Sequence, residues 1–134
     1  MILVDTNILI DIATGDPNWA EWSIGAMDRA RREQAPLLTN LVIYAEFSLG
    51  FTTSAECDGE VERFGLLFAD IPKPAAFRAG VAFREYRRNG GARPHPLPDF
   101  FIGAHASVLG VPLLTRDVAR YRSYFPEVTL IAPP

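Results

Sequence analysis

Residues 1–11 read MILVDTNILID. Four apolar residues, enough for a short buried strand, run directly into Asp5. Thr6 and Asn7 follow, and Ile8, Leu9 and Ile10 then resume the apolar pattern. A strand that stops at a carboxylate and gives way at once to a helix is the first half of a β–α unit, and it sets the reading of the rest. The carboxylate has two explanations. It caps the free N–H groups of the helix, or it is held there as a ligand for a cation.

Outward from this stretch, the alternation repeats. The first helix is expected from Thr6 to Ala13, stopped by Thr14-Gly15. Asp16-Pro17 then signals a second helix that runs to Gln34. PLLT (36–39) is a second short strand, and Asn40 caps a helix through Leu49. Ser54 opens a helix that carries Val61, Phe64, Leu67 and Phe68 on one face, and ADI (69–71) is expected as a strand. A helix follows over 75–88, closed by Asn89-Gly90-Gly91, and ARPHPLP (92–98) is an extended loop. Pro98 and Asp99 start a helix that ends at Gly110. VPLLT (111–115) is a strand, RDVARYRSYF (116–125) a short helix, and EVTLI (127–131) a last strand. Strands alternating with helices throughout imply an α/β sandwich around a mainly parallel sheet.

The 134 residues are read as a single domain over 1–134, with 49% hydrophobic and 22% charged residues, a globular composition. Cys57 is the only cysteine, which excludes an internal disulfide and fits a reducing, cytoplasmic setting. No secretory signal is expected, because the first apolar run lacks a basic flank and meets Asp5. FFIGAHASVLGVPLL (100–114) contains a histidine, two glycines and a proline and is too short to span a membrane. The net charge of −3 argues against a generic nucleic-acid binder. Charge is unevenly spread, however. Arg78, Arg84, Arg87, Arg88 and Arg93 face only Glu85, as a solvated helix face or as a patch for phosphates.

Four carboxylates stand out. Asp5 ends the first strand, Glu46 sits within the nearly apolar LVIYAEFSLGF, Asp99 opens DFFIGAHASVLG, and Asp117 follows VPLLT. Asp5, Asp99 and Asp117 are explicable as helix caps, but Glu46 lies mid-helix and is not. In open parallel sheets ligands bind beyond the carboxyl ends of the strands, where Asp5 and Asp117 lie and toward which the Asp99 helix would point. Two such charges about 4 Å apart repel by roughly 4 kcal/mol at an effective dielectric of 20. Divalent cations relieve that, and all-oxygen ligands suit Mg²⁺ or Mn²⁺ rather than zinc. Gly103 and Ala106 share a face with Asp99 and would let its helix pack closely. His105 is read as a structural or surface residue and His95 as an ordinary loop residue. Asp11, one turn past Asn7, is read as part of a solvated face.

With these residues in view, the chain resembles PIN-domain proteins, close to the VapC-type toxins of bacterial toxin–antitoxin pairs. The likeness rests on VDTNILID, on LVIYAEFSLG around Glu46, on LPDFFIGAHASVLGVPLLTRD and on the last strand VTLIAP. It implies a PIN-like α/β/α sandwich and a metal-dependent endoribonuclease. Asp5, Glu46, Asp99 and Asp117 match the family's acids and its metal site, Asp5 and Asp99 foremost as direct ligands of Mg²⁺ (Mn²⁺ as its substitute), Glu46 and Asp117 directly or through water. Asn7 and Thr115 match the polar residues that orient them. Arg84, Arg87, Arg88 and Arg116 are the candidates for holding flanking RNA phosphates. The resemblance also implies an antitoxin partner that covers the site, and a homodimer. Trp19, Trp22 and Phe51 are candidates for that interface or for ordinary core packing.

Two other classes compete. A phosphoaspartate enzyme of the haloacid-dehalogenase type also places an Asp after its first strand. It needs a second Asp where Asn7 stands, and a lysine, for which Lys73 is the only candidate; a receiver domain needs that lysine too. A catalytically silent RNA-binding or scaffold PIN domain is the non-enzymatic alternative.

Overall fold

In a computed structural model, which describes residues 1–94 and 97–134, the expected alternation is found. The order is β1 (Ile2–Val4), α1 (Thr6–Thr14), α2 (Ala20–Arg32), β2 (Leu37–Thr39), α3 (Leu41–Ser48) and α4 (Ser54–Phe64). It continues with β3 (Leu67–Phe68), α5 (Lys73–Arg88), α6 (Pro98–Leu109), β4 (Leu113–Leu114), α7 (Ala119–Tyr124) and β5 (Leu130–Ile131). His95 lies outside the described residues.

The strands form one sheet in the order β3-β2-β1-β4-β5, and every pairing is parallel. β1 is central. Leu3 pairs with Leu38 on one side and Leu113 on the other. All three residues of β1 are buried, as expected of a strand covered on both faces by helices. Each fully buried leucine or valine here contributes about 2 kcal/mol of hydrophobic stabilisation. The chain builds outward from β1 through β2 to β3, then returns to the opposite side for β4 and β5. The order therefore reverses between β1 and β4. Their carboxyl ends flank the crevice in which parallel sheets place ligands.

Three expectations are corrected. The helix expected to carry Leu67 and Phe68 stops at Phe64, because Gly65 adopts the left-handed conformation (φ 72°) that ends it. Leu67 and Phe68, not residues 69–71, form the strand, an exposed edge paired only with β2. The second helix does not begin at Pro17. Asp16 Oδ1 accepts the N–H groups of Asn18 and Trp19 in a turn, and regular helix starts at Ala20.

Close packing of α6 follows from its small residues. A methyl group at Gly103 would overlap the ring of the buried Phe125. α6 is also tied to α3 through the core. Asn40 caps α3 by accepting the Ile43 N–H at 2.9 Å, so its Nδ2 donates to His105 Nδ1, also at 2.9 Å. The fully buried imidazole is thus an acceptor and neutral, and burial lowers its pKa further from the ordinary value. His105 is structural. No helix among the described residues is long and apolar enough to cross a membrane.

Candidate active site

Asp5 follows β1 in extended conformation, and its Oδ1 accepts the Thr6 N–H at 2.7 Å, so it caps α1. The cap and the site are the same residue. Asp5 Oδ2 faces the other way and accepts from Thr115 Oγ1 at 2.8 Å and from the Tyr121 hydroxyl at 2.9 Å, with Asn7 Nδ2 at 3.4 Å. Thr115 is placed by the register of β1 on β4, where Val4 pairs with Leu114 and Asp5 N–H donates to the Leu114 carbonyl. Asn7 bridges the two strand ends. Its Nδ2 donates to Thr115 Oγ1 at 3.2 Å and its Oδ1 accepts the Arg116 N–H at 3.3 Å.

Glu46 comes from α3. Its half-buried carboxylate accepts from Thr6 Oγ1 at 2.7 Å, which ties α3 to the start of α1. Asp99 lies in the first turn of α6, after Pro98, with its carboxylate near the Tyr121 hydroxyl (3.5 Å). Asp117 is exposed, and its N–H donates to Thr115 Oγ1 at 3.1 Å. All four acids, with Thr6, Asn7, Ile10 and Leu49, line one cleft of about 260 Å³.

The electrostatics confirm that they share an environment. Burial pushes the Asp5 carboxyl up to about 6, against the hydrogen bonds from Thr115 and Tyr121, and the Asp99 charge pushes the same way. Burial raises Glu46 too, opposed by the Thr6 hydroxyl and reinforced by Asp99. Asp99 is raised by burial first and by Asp117, against the pull of Arg120. Asp99 therefore pushes Asp5 and Glu46 up and is itself pushed up by Asp117. Among the described residues, no group of three or more His, Cys, Asp or Glu side chains is arranged to hold a metal ion as it stands. The acids line the cleft rather than close on one point. Mg²⁺ commonly keeps several waters and takes only one or two carboxylates directly. The donor set, all oxygen and short of positive charge, fits such an ion.

Two residues beside the acids, Tyr121 and Arg120, escape sequence reasoning. Tyr121 is buried, and the carboxylates around it, after burial itself, hold its hydroxyl protonated far above the ordinary range. Its one signal is the i, i+4 pair with Phe125, which marks a buried helix face and a hydroxyl in need of a partner. Arg120 forms an ion pair with Asp99 at 3.3 Å. Asp11 corrects the expectation of a solvated face. It is 1% exposed, takes both Arg116 Nε (2.7 Å) and Nη2 (2.9 Å), and accepts from the buried Ser23 hydroxyl. Arg116 also lies over the Trp19 ring, 5.5 Å from its centroid. Two of its nitrogens are engaged by Asp11, while the side chain stays 31% exposed. Arg84, Arg87 and Arg88 are exposed on α5, with Arg87 donating to the Gly91 and Arg93 carbonyls. None of these four arginines lines the cleft. Trp22 and Phe51 pack against the core.

A PIN domain model matches residues 2–124 of the chain. The fold is shared with a chain of VapBC2 from Rickettsia felis bound to a DNA fragment from its promoter, at TM-score 0.76 and 17% identity, covering 100% of both chains. DNA-bound VapBC from Salmonella typhimurium matches at TM-score 0.74 and 20% identity over 98% of this chain and 96% of that one. VapBC-1 from nontypeable Haemophilus influenzae matches at 0.68 and 21% identity over 98% of both. No curated protein matches.

Proposed function

We propose that this chain, which belongs to the PIN-domain family, is a Mg²⁺-dependent endoribonuclease and the toxin of a toxin–antitoxin pair. The observation that carries the reading is the cleft at the β1/β4 switch point, where Asp5, Glu46, Asp99 and Asp117 meet with too little positive charge to balance them. Asp5 and Asp99 would hold the cation, with Glu46 and Asp117 binding directly or through its waters. A bound divalent ion neutralises charge on the scissile phosphate and lowers the pKa of a water molecule.

The chain's own residues do the rest. Thr115, Tyr121 and Asn7 fix the Asp5 carboxylate from one side, and the cap fixes it from the other, so it presents a set orientation to the cleft. Thr6 does the same for Glu46. Glu46 and Asp117, the outer acids, are the groups able to accept a proton from the attacking water. Single-stranded RNA is the fitting substrate, since its backbone can be splayed into a cleft of this size.

Partner and assembly belong to the same proposal. One solved structure that shares this fold is a toxin–antitoxin complex from Klebsiella pneumoniae. An apolar groove of about 360 Å³, lined by Ile10, Ala13, Phe47, Leu49 and Phe51 among others, runs on from the acidic cleft. That groove suits a partner segment that covers the site. A homodimer and a cytoplasmic location rest on the resemblance and on the single free, buried Cys57. The phosphoaspartate alternatives lack support, because Lys73 stands exposed at the start of α5 and does not line the cleft.

The test is cleavage of an end-labelled single-stranded RNA by purified protein. Cleavage is expected with Mg²⁺ or Mn²⁺, is abolished by chelation, and leaves 5′-phosphate and 3′-hydroxyl ends. Cleavage that persists in chelator, or 2′,3′-cyclic phosphate ends, would refute the metal-dependent mechanism.

A further inference from the structure

The arginines of this chain differ in how their donors are used. Arg78 is spent on Glu127 and the Tyr124 carbonyl, Arg116 on Asp11, and Arg87 on loop carbonyls. Arg120 is different. Its guanidinium is held against two rings, with centroids at 5.5 Å (Phe100) and 5.8 Å (Tyr86). Phe100 is fully buried, so this ledge is rigid. Yet its ionic bond is a single contact, Nη1 to Asp99 Oδ2 at 3.3 Å, with the side chain 33% exposed. A guanidinium has five N–H donors in a planar fork, and among the described residues only one is engaged. The rings hold the cation in place, and the carboxylate holds it weakly.

Asp99 also lines the cleft with the other three acids and shares the Tyr121 hydroxyl with Asp5. Its only cationic partner among the described residues is Arg120. A divalent ion that took Asp99 would replace that partner. The guanidinium would stay on its aromatic ledge beside Asp99, just outside the cleft lining, with its donor fork unoccupied. A phosphate is the ligand such a fork suits, because it accepts two parallel N–H bonds.

We propose that Arg120 is an exchangeable counter-ion. It balances Asp99 while the cleft lacks a cation, and contacts a phosphate of the RNA when the cation takes Asp99. This inference rests on the metal-dependent nuclease reading. It names a substrate contact outside the arginines expected from the sequence, and it makes Arg120 a competitor of the metal.

The test measures two quantities in the wild type, Arg120→Gln and Arg120→Lys, after matching melting curves show that the variants fold. The first is Mn²⁺ affinity without RNA. Arg120→Gln should bind Mn²⁺ more tightly, by about fivefold, and Arg120→Lys should stay near the wild type. The second is the steady-state kinetics at several salt concentrations. Arg120→Gln should raise KM for RNA about tenfold with little change in kcat. It should also flatten the log–log salt dependence by about 0.7, the loss of one single-strand phosphate contact. Arg120→Lys should keep the salt slope. Unchanged or weaker Mn²⁺ binding in Arg120→Gln, or an unchanged KM and salt slope, overturns the assignment while leaving the nuclease reading intact. A wild-type protein that neither binds Mn²⁺ nor cleaves RNA overturns both.

Discussion

Asp5→Asn is expected to cut RNA roughly 10³-fold more slowly than the wild type, and yet to gain stability in metal-free buffer at neutral pH. The two effects share a cause. Asp5 is 4% exposed and its carboxyl titrates near 6 in the fold, against an ordinary value of 3.8. The folded protein therefore holds the proton more tightly than the unfolded chain. The stability this confers is complete below about pH 4 and is lost as pH rises through about 6. Between pH 4 and 7.5 the wild type should lose about 2–3 kcal/mol relative to Asp5→Asn, the linkage value of a shift this size. Glu46 and Asp99 are raised in the same direction, while the neutral, buried His105 acts the opposite way over the same pH range, so the Asp5 effect is read as the difference between wild type and Asp5→Asn. Urea titrations across that range check this. A wild type that gains stability over the variant as pH rises would show that Asp5 is held by its hydrogen bonds as an ordinary, well-satisfied cap. Charge kept at a cost to the fold is the mark of a site built for function.

The second large effect is structural. Arg116→Ala should destabilise the chain by about 3 kcal/mol, and Asp11→Asn by less, about 1–2 kcal/mol. The asymmetry follows from exposure. The Asp11 side chain is 2% exposed and Arg116 31%. Removal of the arginine strands a buried carboxylate, whereas removal of the carboxylate lets the guanidinium turn to solvent. Arg116 sits between Thr115 and Asp117, and its own N–H is bound by Asn7, so the ion pair also fixes the loop that carries two site residues. Denaturant melts of both variants check the order. If Arg116→Ala melts like the wild type and loses RNA affinity instead, the expected phosphate-binding role is supported.

Much of this was legible before any coordinates. The strand–acid–helix step at Asp5, the mid-helix Glu46 and the turn chemistry at Gly15, Asn40, Pro98 and Gly110 each have a local cause, and each element is found. What escaped depends on distant partners. Nothing local distinguishes Asp11 from a surface acid. Its burial is decided by Ser23, twelve residues on, and by Arg116, 105 residues on in sequence but just beyond β4, the neighbour of β1. Tyr121 and Arg120 lie in a stretch that reads as an unremarkable short helix, and their roles come from the packing of α7 beside α6. The edge strand was misplaced because Leu67 and Phe68 continue the apolar spacing of α4, while the backbone turns at Gly65.

The nuclease reading stands on the four acids forming one cation site. Mn²⁺ binding to the purified protein, followed by electron paramagnetic resonance, tests it most directly. Saturable binding is expected in the wild type, accompanied by a rise in melting temperature, with loss of both in the Asp5→Asn, Asp99→Asn double variant. Binding that survives undiminished in the double variant, or no binding to the wild type at millimolar Mn²⁺, would contradict it.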